Sequence, residues 1–229
     1  MDRDSFSRIE AHMLEHMRDS AHDSEHVYRV LYFAMDIARH EKAADLDVLI
    51  AACLLHDIGR AAQYANPALG HAQVGSSMAY QFLLGIGWPE PRAAQVRDCV
   101  ASHRFRGKHL PESLEAKILF DADKLDAAGT LGIARTLLYQ GIVSQPLYTL
   151  DAQGEIESGE ADSLPSFFRE YKYKLETLYD RFYTQRARQL ADERRHAAAA
   201  FYENLLTEAR GCYQMGKQAL HDALNASEA

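Results

Sequence analysis

Several familiar signatures are missing from this chain. It has three cysteines, Cys53, Cys99 and Cys212, with no Cys-x-x-Cys among them. That argues against a disulfide framework and fits a reducing compartment. No apolar stretch approaches the ~20 residues that span a bilayer. The start, Met1-Asp-Arg-Asp-Ser5, is polar and of mixed charge, unlike a secretory signal. The expectation is therefore a cytoplasmic protein without a membrane partner. Basic charge is also scarce: 25 Lys and Arg face 33 Asp and Glu, a formal net charge of −8. Sequence-independent binding to nucleic acid needs clustered cations, so no nucleic-acid partner is expected. A P-loop, a dinucleotide fingerprint and a nucleophile elbow are absent, and Gly85-Ile-Gly87-Trp88 lacks the context of a Rossmann turn.

What is present is helical periodicity. Phe6, Ile9, Met13, Leu14 and Met17 share one helix face, as do Val27, Val30, Leu31, Ala34, Ile37 and Ala38. Asp23 or Ser24 caps the second helix, and Asp45 or Asp47 starts a third. Further helices are expected from about His71 to Leu84, from Pro91 to His103, and from Pro111 to Asp123. Gly129 and Gly132 mark a bend or close packing. Residues 141–166 break the pattern, with a short hairpin around Ala152-Gln-Gly154 in what is either a lid or an exposed loop. From Phe167 two long helices follow, the second capped by Thr184 and broken at Gly211. The fold class is all-α.

The chemistry concentrates at His56-Asp57, which closes the apolar run Val48–Leu55 and precedes Ile58-Gly59. A charged group at the end of a buried helix needs compensation, and a metal ion supplies it. Adjacent residues on a continuous helix point about 100° apart; at a helix end, with Gly59 freeing the backbone, both reach one ion. His26 and a carboxylate near residue 123 offer matching donors from other helices. Asp121, Asp123 and Asp126 all compete for that place, although 121 points away from 123 and 126 on a helix. Two histidines and two carboxylates form an N/O set suited to manganese, iron, nickel, cobalt, zinc or magnesium with open positions for water.

The strings His22-Asp-x-x-His26-x-x-Arg29-Val30, Leu54-Leu-His56-Asp57-Ile-Gly59 and Asp121-Ala-Asp123-Lys124-Leu125-Asp126-Ala-x-Gly129-x-x-Gly132-Ile-Ala-Arg135 resemble the HD-domain superfamily of metal-dependent phosphohydrolases. Within it they are similar to the bacterial YedJ/YpgQ-like subfamily, and the likeness continues into Lys174-Leu-x-x-Leu and Thr184-x-x-Ala-Arg. The resemblance implies an HD-domain helical bundle with a C-terminal long-helix hairpin and a small irregular insertion, and a divalent metal held by His26, His56, Asp57 and Asp123. It favours Asp123 over its neighbours, leaving Asp126 to hydrogen-bond a ligand histidine or a nearby helix. His71 and His103 become either ligands of a second ion or phosphate-binding residues of the cleft, and His22 an outer partner.

The implied reaction is hydrolysis of (deoxy)nucleoside triphosphates to monophosphate and pyrophosphate by a metal-activated water. Asp57, His56 and Lys124 are the catalytic candidates. Arg29, His71, His103, Lys124 and Lys174 are the substrate-binding candidates, and Arg104 and Arg106 could reach the entrance. Tyr64, Phe105 or Tyr148 could stack on a base. His12, His16, His40, His109, His196 and His221 are read as surface residues. The expected organisation is an HD core over 1–140, an insertion over 141–166, and C-terminal helices over 167–229 packed on the core as one structural domain, monomeric or homodimeric. Two other functions share the pattern: a dinuclear iron oxygenase on the same fold, and a nucleotide-binding regulator without turnover.

Overall fold

The computed structural model describes residues 1–17, 24–41, 43–66, 69–104 and 109–226, with Tyr64 described by its backbone alone. The expectations for His22, Asp23, Phe105 and Arg106 lie outside the described residues. Among the described residues the structure is helical, and its one β-bridge joins Leu150 to Ile156. The chain divides into two compact units, Met1–Asp126 with Phe182–Leu190, and Ala127–Arg181 with Ala191–Ala229.

The first unit contains α1 (Arg3–His16), α2 (Ser24–Ala38), α3 (Leu46–Leu55), α4 (Arg60–Ala65), α5 (His71–Gly85), α6 (Glu90–Ser102) and α7 (Leu114–Asp126). Helix α3 has no polar face: Val48, Leu49 and every residue from Ala51 to Leu55 are buried. A helix apolar all round belongs in the middle, and α3 packs against α1, α2, α5, α6 and α7. Each fully buried Leu or Val contributes roughly 1.5–3 kcal/mol, so this short helix anchors the unit. Asp45 is its cap, accepting from the backbone N–H groups of Asp47 and Val48 at 3.0 and 3.3 Å.

The turn after α3 rests directly on α5. A Cβ on Gly59 would lie 2.2 Å from the His71 carbonyl oxygen and 2.5 Å from the Gly75 nitrogen. Only glycine allows that approach, and it fixes His56 and Asp57 against the start of α5.

Helix α7 begins at Leu114, three residues later than Pro111, with the Ser113 hydroxyl accepting from the Ala116 N–H at 3.1 Å. Asp121 is buried and turned to the chain just before α10 (Gln185–Ala226). Its carboxylate accepts from the N–H of Tyr183 at 2.9 Å, and from the N–H and hydroxyl of Thr184 at 2.7 Å each. The Thr184 hydroxyl in turn accepts from the Ala187 N–H at 3.4 Å. Thr184 thus caps α10, as its sequence position predicts. His12, expected at the surface, instead stacks on Phe82 with ring centroids 3.8 Å apart.

In the second unit, α8 spans Gly129–Ile142, and Gly129 has φ +74°. The hairpin around residue 152 forms: Asp151 N–H donates to Glu155 and Glu157 N–H to Thr149. The 141–166 segment is tied along α10, with Arg210 donating to the Ile156 carbonyl and Lys217 to the Gly154 carbonyl.

The first expected long helix is in fact a series of short turns: α9 (Phe167–Glu170), a π-helical turn Tyr171–Leu175, and a 3-10 turn Leu178–Asp180. Its aromatic residues pile together, with Tyr171 stacked on Tyr202 at 4.2 Å, and packing overrides regular geometry. The second is a single 42-residue helix that continues through Gly211. One glycine costs a helix about 1 kcal/mol, which the surrounding Ala, Leu, Glu and Gln residues outweigh. Among the described residues no helix is long and apolar enough to cross a membrane.

Asp121→Ala leaves two buried N–H groups and the Thr184 hydroxyl without their acceptor. It should lower unfolding free energy by about 3 kcal/mol in urea denaturation, while metal binding by the intact protein is retained.

Candidate metal centre

Four helices and the turn after α3 deliver the donors. His26 lies in the first turn of α2, His56 caps the C-terminus of α3, and Asp57 follows it. His71 opens α5, His103 caps the C-terminus of α6, and Asp123 sits in the last turns of α7. All are buried except Asp123, which is partly exposed.

They form two triads. In the first, His26, His56 and Asp123 bring one donor atom each within 4.8 Å of one another; the second does the same with Asp57, His71 and His103. Asp57 joins the two. Its Oδ2 lies 3.5 Å from His26 Nε2 and 3.6 Å from His56 Nε2. Its Oδ1 lies 3.7 Å from His71 Nε2 and 3.5 Å from His103 Nε2. Asp123 Oδ1 is 3.5 Å from His26 Nε2.

The histidines are all turned the same way. His26 Nδ1 meets Asp126 Oδ2 at 2.7 Å, His56 Nδ1 the Cys53 carbonyl at 2.7 Å, His71 Nδ1 the Gln63 side-chain oxygen at 2.7 Å, and His103 Nδ1 the Val100 carbonyl at 2.6 Å. Every partner is an acceptor, so each Nδ1 carries the proton and each Nε2 presents a lone pair to the interior. His56 and His103 achieve this identically: each folds back onto the carbonyl three residues earlier, one of the orphan acceptors at a helix end.

Two repelling lone pairs, Nε2 of His26 and Nε2 of His56, face each other at 3.3 Å. Nε2 of His71, Nε2 of His103 and both Asp57 oxygens are buried without a hydrogen-bond partner. Such groups are costly unless a cation fills the space between them. The donor set therefore fits a divalent ion in each triad.

Three of the carboxylates around this space each meet a cation. Arg29 donates to both oxygens of Asp126, at 2.6 and 3.3 Å. Lys124 pairs with Asp123 Oδ2 at 2.5 Å, and Arg60 Nε lies 2.9 Å from Asp57 Oδ2. Burial raises the Asp57 pKa, yet Arg60 and His56 hold it well below the ordinary carboxylate value. Burial raises that of Asp123 too, and Lys124 with His26 brings it strongly down. Burial pushes His56 down to about 4. Burial, then Arg60, push His71 down to about 3. Both imidazoles are thus neutral, ligand-competent bases across the physiological range.

The structure brings together His26, His56, Asp57 and Asp123, and adds His71 and His103 at Asp57. Asp126 accepts from His26 Nδ1, the first of the two roles expected for it. Lys124 is buried, with its ammonium between Asp123 and the His103 carbonyl at 3.2 Å. Lys174 belongs to the second unit, where it pairs with Glu170 at 3.0 Å. Two residues escaped the sequence reading. Arg60, three positions after Asp57, carried a usable signal in its i, i+3 spacing; Gln63 carried none.

Comparison with known proteins agrees with this geometry. The family model described as HD domain matches residues 23–128. The Bacillus subtilis protein YpgQ, described as uncharacterized, is 35% identical over 190 residues, 81% of this chain and 83% of that one. A crystal structure of B. subtilis YpgQ in complex with ADP aligns with a TM-score of 0.68 and 28% identity, covering 89% of this chain and 97% of that one. A predicted HD superfamily hydrolase from an uncultured Thermotogales bacterium aligns with a TM-score of 0.59 and 30% identity, covering 90% and 92%.

A histidine whose folded pKa lies below its unfolded value gives stability that is whole above the unfolded value and lost as pH falls toward the folded one. For His56 and His71 that window runs from 6.5 down to about 4 and about 3. Metal-free protein should lose stability there at a slope approaching about 1.4 kcal/mol per pH unit for each histidine. Chemical denaturation across that range checks it, and His56→Gln or His71→Gln should flatten the slope.

Proposed function

The chain belongs to the HD-domain family, and on that premise we propose that it is a metal-dependent phosphohydrolase acting on nucleotides. The preferred substrates are (deoxy)nucleoside triphosphates, cleaved to monophosphate and pyrophosphate. The observation that carries this reading is the pair of triads sharing Asp57, with every Nε2 lone pair turned inward. Nucleotide binding by a relative, YpgQ with ADP, supports the substrate class.

His26, His56, Asp123 and Asp57 Oδ2 would hold one ion, and His71, His103 and Asp57 Oδ1 a second. When bound, such ions lower the pKa of a coordinated water and draw charge from a phosphoryl oxygen. The chain's own residues do the rest. Arg29 locks Asp126, which orients His26. Lys124 holds Asp123 Oδ2 and leaves Oδ1 facing the centre as the donor atom. Lys124 also fixes the His103 carbonyl, so we assign it a positioning role. Water attack breaks the bond between the α-phosphorus and the oxygen bridging to the β-phosphate. Pyrophosphate leaves and a proton is released.

The second triad is also what a dinuclear iron oxygenase needs, and the assay separates the two. Metal-stripped protein is incubated with nucleoside tri-, di- and cyclic monophosphates and manganese, magnesium, cobalt or nickel, with oxygen consumption followed in parallel using iron. Monophosphate and pyrophosphate should appear with redox-inert magnesium. The double variant His56→Ala/Asp57→Ala should lose at least roughly a thousandfold in rate, because a bound ion lowers the barrier by several kcal/mol. Oxygen uptake without phosphate release would favour the oxygenase, and nucleotide binding without product the regulator. In a manganese titration we expect two equivalents per chain for the wild type and one for His71→Ala.

A further inference from the structure

Three cations face the three carboxylates of the centre, and they are not equivalent. Arg29 engages Asp126, which stands behind His26 with Oδ2 on its Nδ1. Lys124 takes Asp123 Oδ2 and leaves Oδ1 toward His26. Both pairs leave the ligand face clear. Arg60 does not. Its Nε sits 2.9 Å from Asp57 Oδ2, the same oxygen that faces His26 and His56 Nε2 at 3.5 and 3.6 Å. That oxygen cannot fully serve a guanidinium and a metal ion together, because two cations sharing one small anion repel each other.

We propose that Arg60 is the resident cation of the metal-free centre, that a divalent ion displaces it from Asp57 Oδ2, and that the displaced guanidinium grips a phosphate of the substrate. The last step rests on the phosphohydrolase reading; the displacement does not.

The root of this side chain is fixed. Arg60 is the first residue of α4, and Gly59 before it is pressed onto the backbone of α5. Only the side chain turns, so the charge stays beside the centre after it leaves Asp57. The side chain is also 25% exposed, against 10% for that of Lys124, so it reaches solvent and an arriving ligand. A guanidinium offers forked donors that match phosphate oxygens, and it cannot lose its charge by deprotonation.

The charge count gives the device its logic. Without metal, the carboxylates Asp57, Asp123 and Asp126 are each balanced by a paired cation, Arg60, Lys124 and Arg29. One bound dication raises the charge of the centre by two and releases one guanidinium. The centre therefore attracts a polyanion once the ion is in place. Metal arrival and phosphate recognition become one linked event.

The test uses the full chain in two arms. Metal-free wild type, Arg60→Gln and Arg60→Lys are dialysed to equilibrium against Mn2+, and the Mn2+-saturated proteins are then dialysed against labelled inorganic pyrophosphate. Arg60→Gln should bind Mn2+ about tenfold more tightly, having lost the competing charge, and pyrophosphate at least about tenfold more weakly. Arg60→Lys should fall between wild type and Arg60→Gln in pyrophosphate affinity. Arg60→Met keeps the stem without the charge and should give the same two shifts, which serves if Arg60→Gln does not fold. Unchanged or weaker Mn2+ binding by both neutral variants would overturn the displacement. Unchanged pyrophosphate affinity would overturn the phosphate contact. Wild type that fails to bind pyrophosphate at all would remove the phosphohydrolase reading, and the Mn2+ arm would still decide the displacement.

Discussion

The centre depends on one carboxylate held where a carboxylate is hardest to keep. Asp57 is 1% exposed, follows an apolar helix, and has no hydrogen bond to either oxygen. Removing an ion from water costs several kcal/mol even after the protein relaxes. Locally the cost is offset by Arg60, and the four Nε2 lone pairs around the two oxygens leave the rest to a cation between them. The cost is met structurally by α3, whose burial against five other helices leaves its end no other place to go. Gly59 completes the constraint, because any side chain there would strike the backbone of α5 and lift the turn from His71.

Much of this was legible in the sequence. The Val48–Leu55 run identifies the central helix, and His56-Asp57 at its end points to the candidate site. Helix spacing alone leaves Asp121, Asp123 and Asp126 open, and it is the resemblance to the HD-domain superfamily that favours His26 and Asp123 and sets Asp126 behind them. What sequence could not supply were the pairings across the fold. Arg29 and Asp126 are 97 residues apart, and Asp121 and Thr184 are 63 apart. Periodicity places each on a helix face and is silent on what meets that face. Position inside the motifs marks Arg29 and Lys124 as candidate phosphate-binding cations, and it does not show that each is paired with a carboxylate, Asp126 and Asp123. The same limit explains the C-terminal region. Alternation of apolar and charged residues predicts helices, but it does not register the stack of Tyr171 on Tyr202 that accompanies a π-helical turn. Gly211 looks like a stop only when the propensity of its neighbours is ignored.

The two triads share a carboxylate but are not equal as donor sets. Each outer partner sets the basicity of its histidine through the Nδ1–H bond. His26 bonds to Asp126, an anion fixed in turn by Arg29, so its Nε2 is the more electron-rich. His71 bonds to the neutral amide of Gln63, carried on α4, a helix of six residues. The remaining histidines, His56 and His103, are matched, each tied to a helix carbonyl three residues back. With Asp57 Oδ2 counted, the His26 side has two carboxylates, Asp57 and Asp123, and the His71 side has Asp57 alone. A dication between the triads would therefore find more negative charge, a more basic imidazole and firmer support on the His26 side. The His71 side offers two neutral rings and the far oxygen of Asp57. That difference follows from Asp123 on one side and from two outer partners, a carboxylate and an amide, that do not touch the donor space themselves.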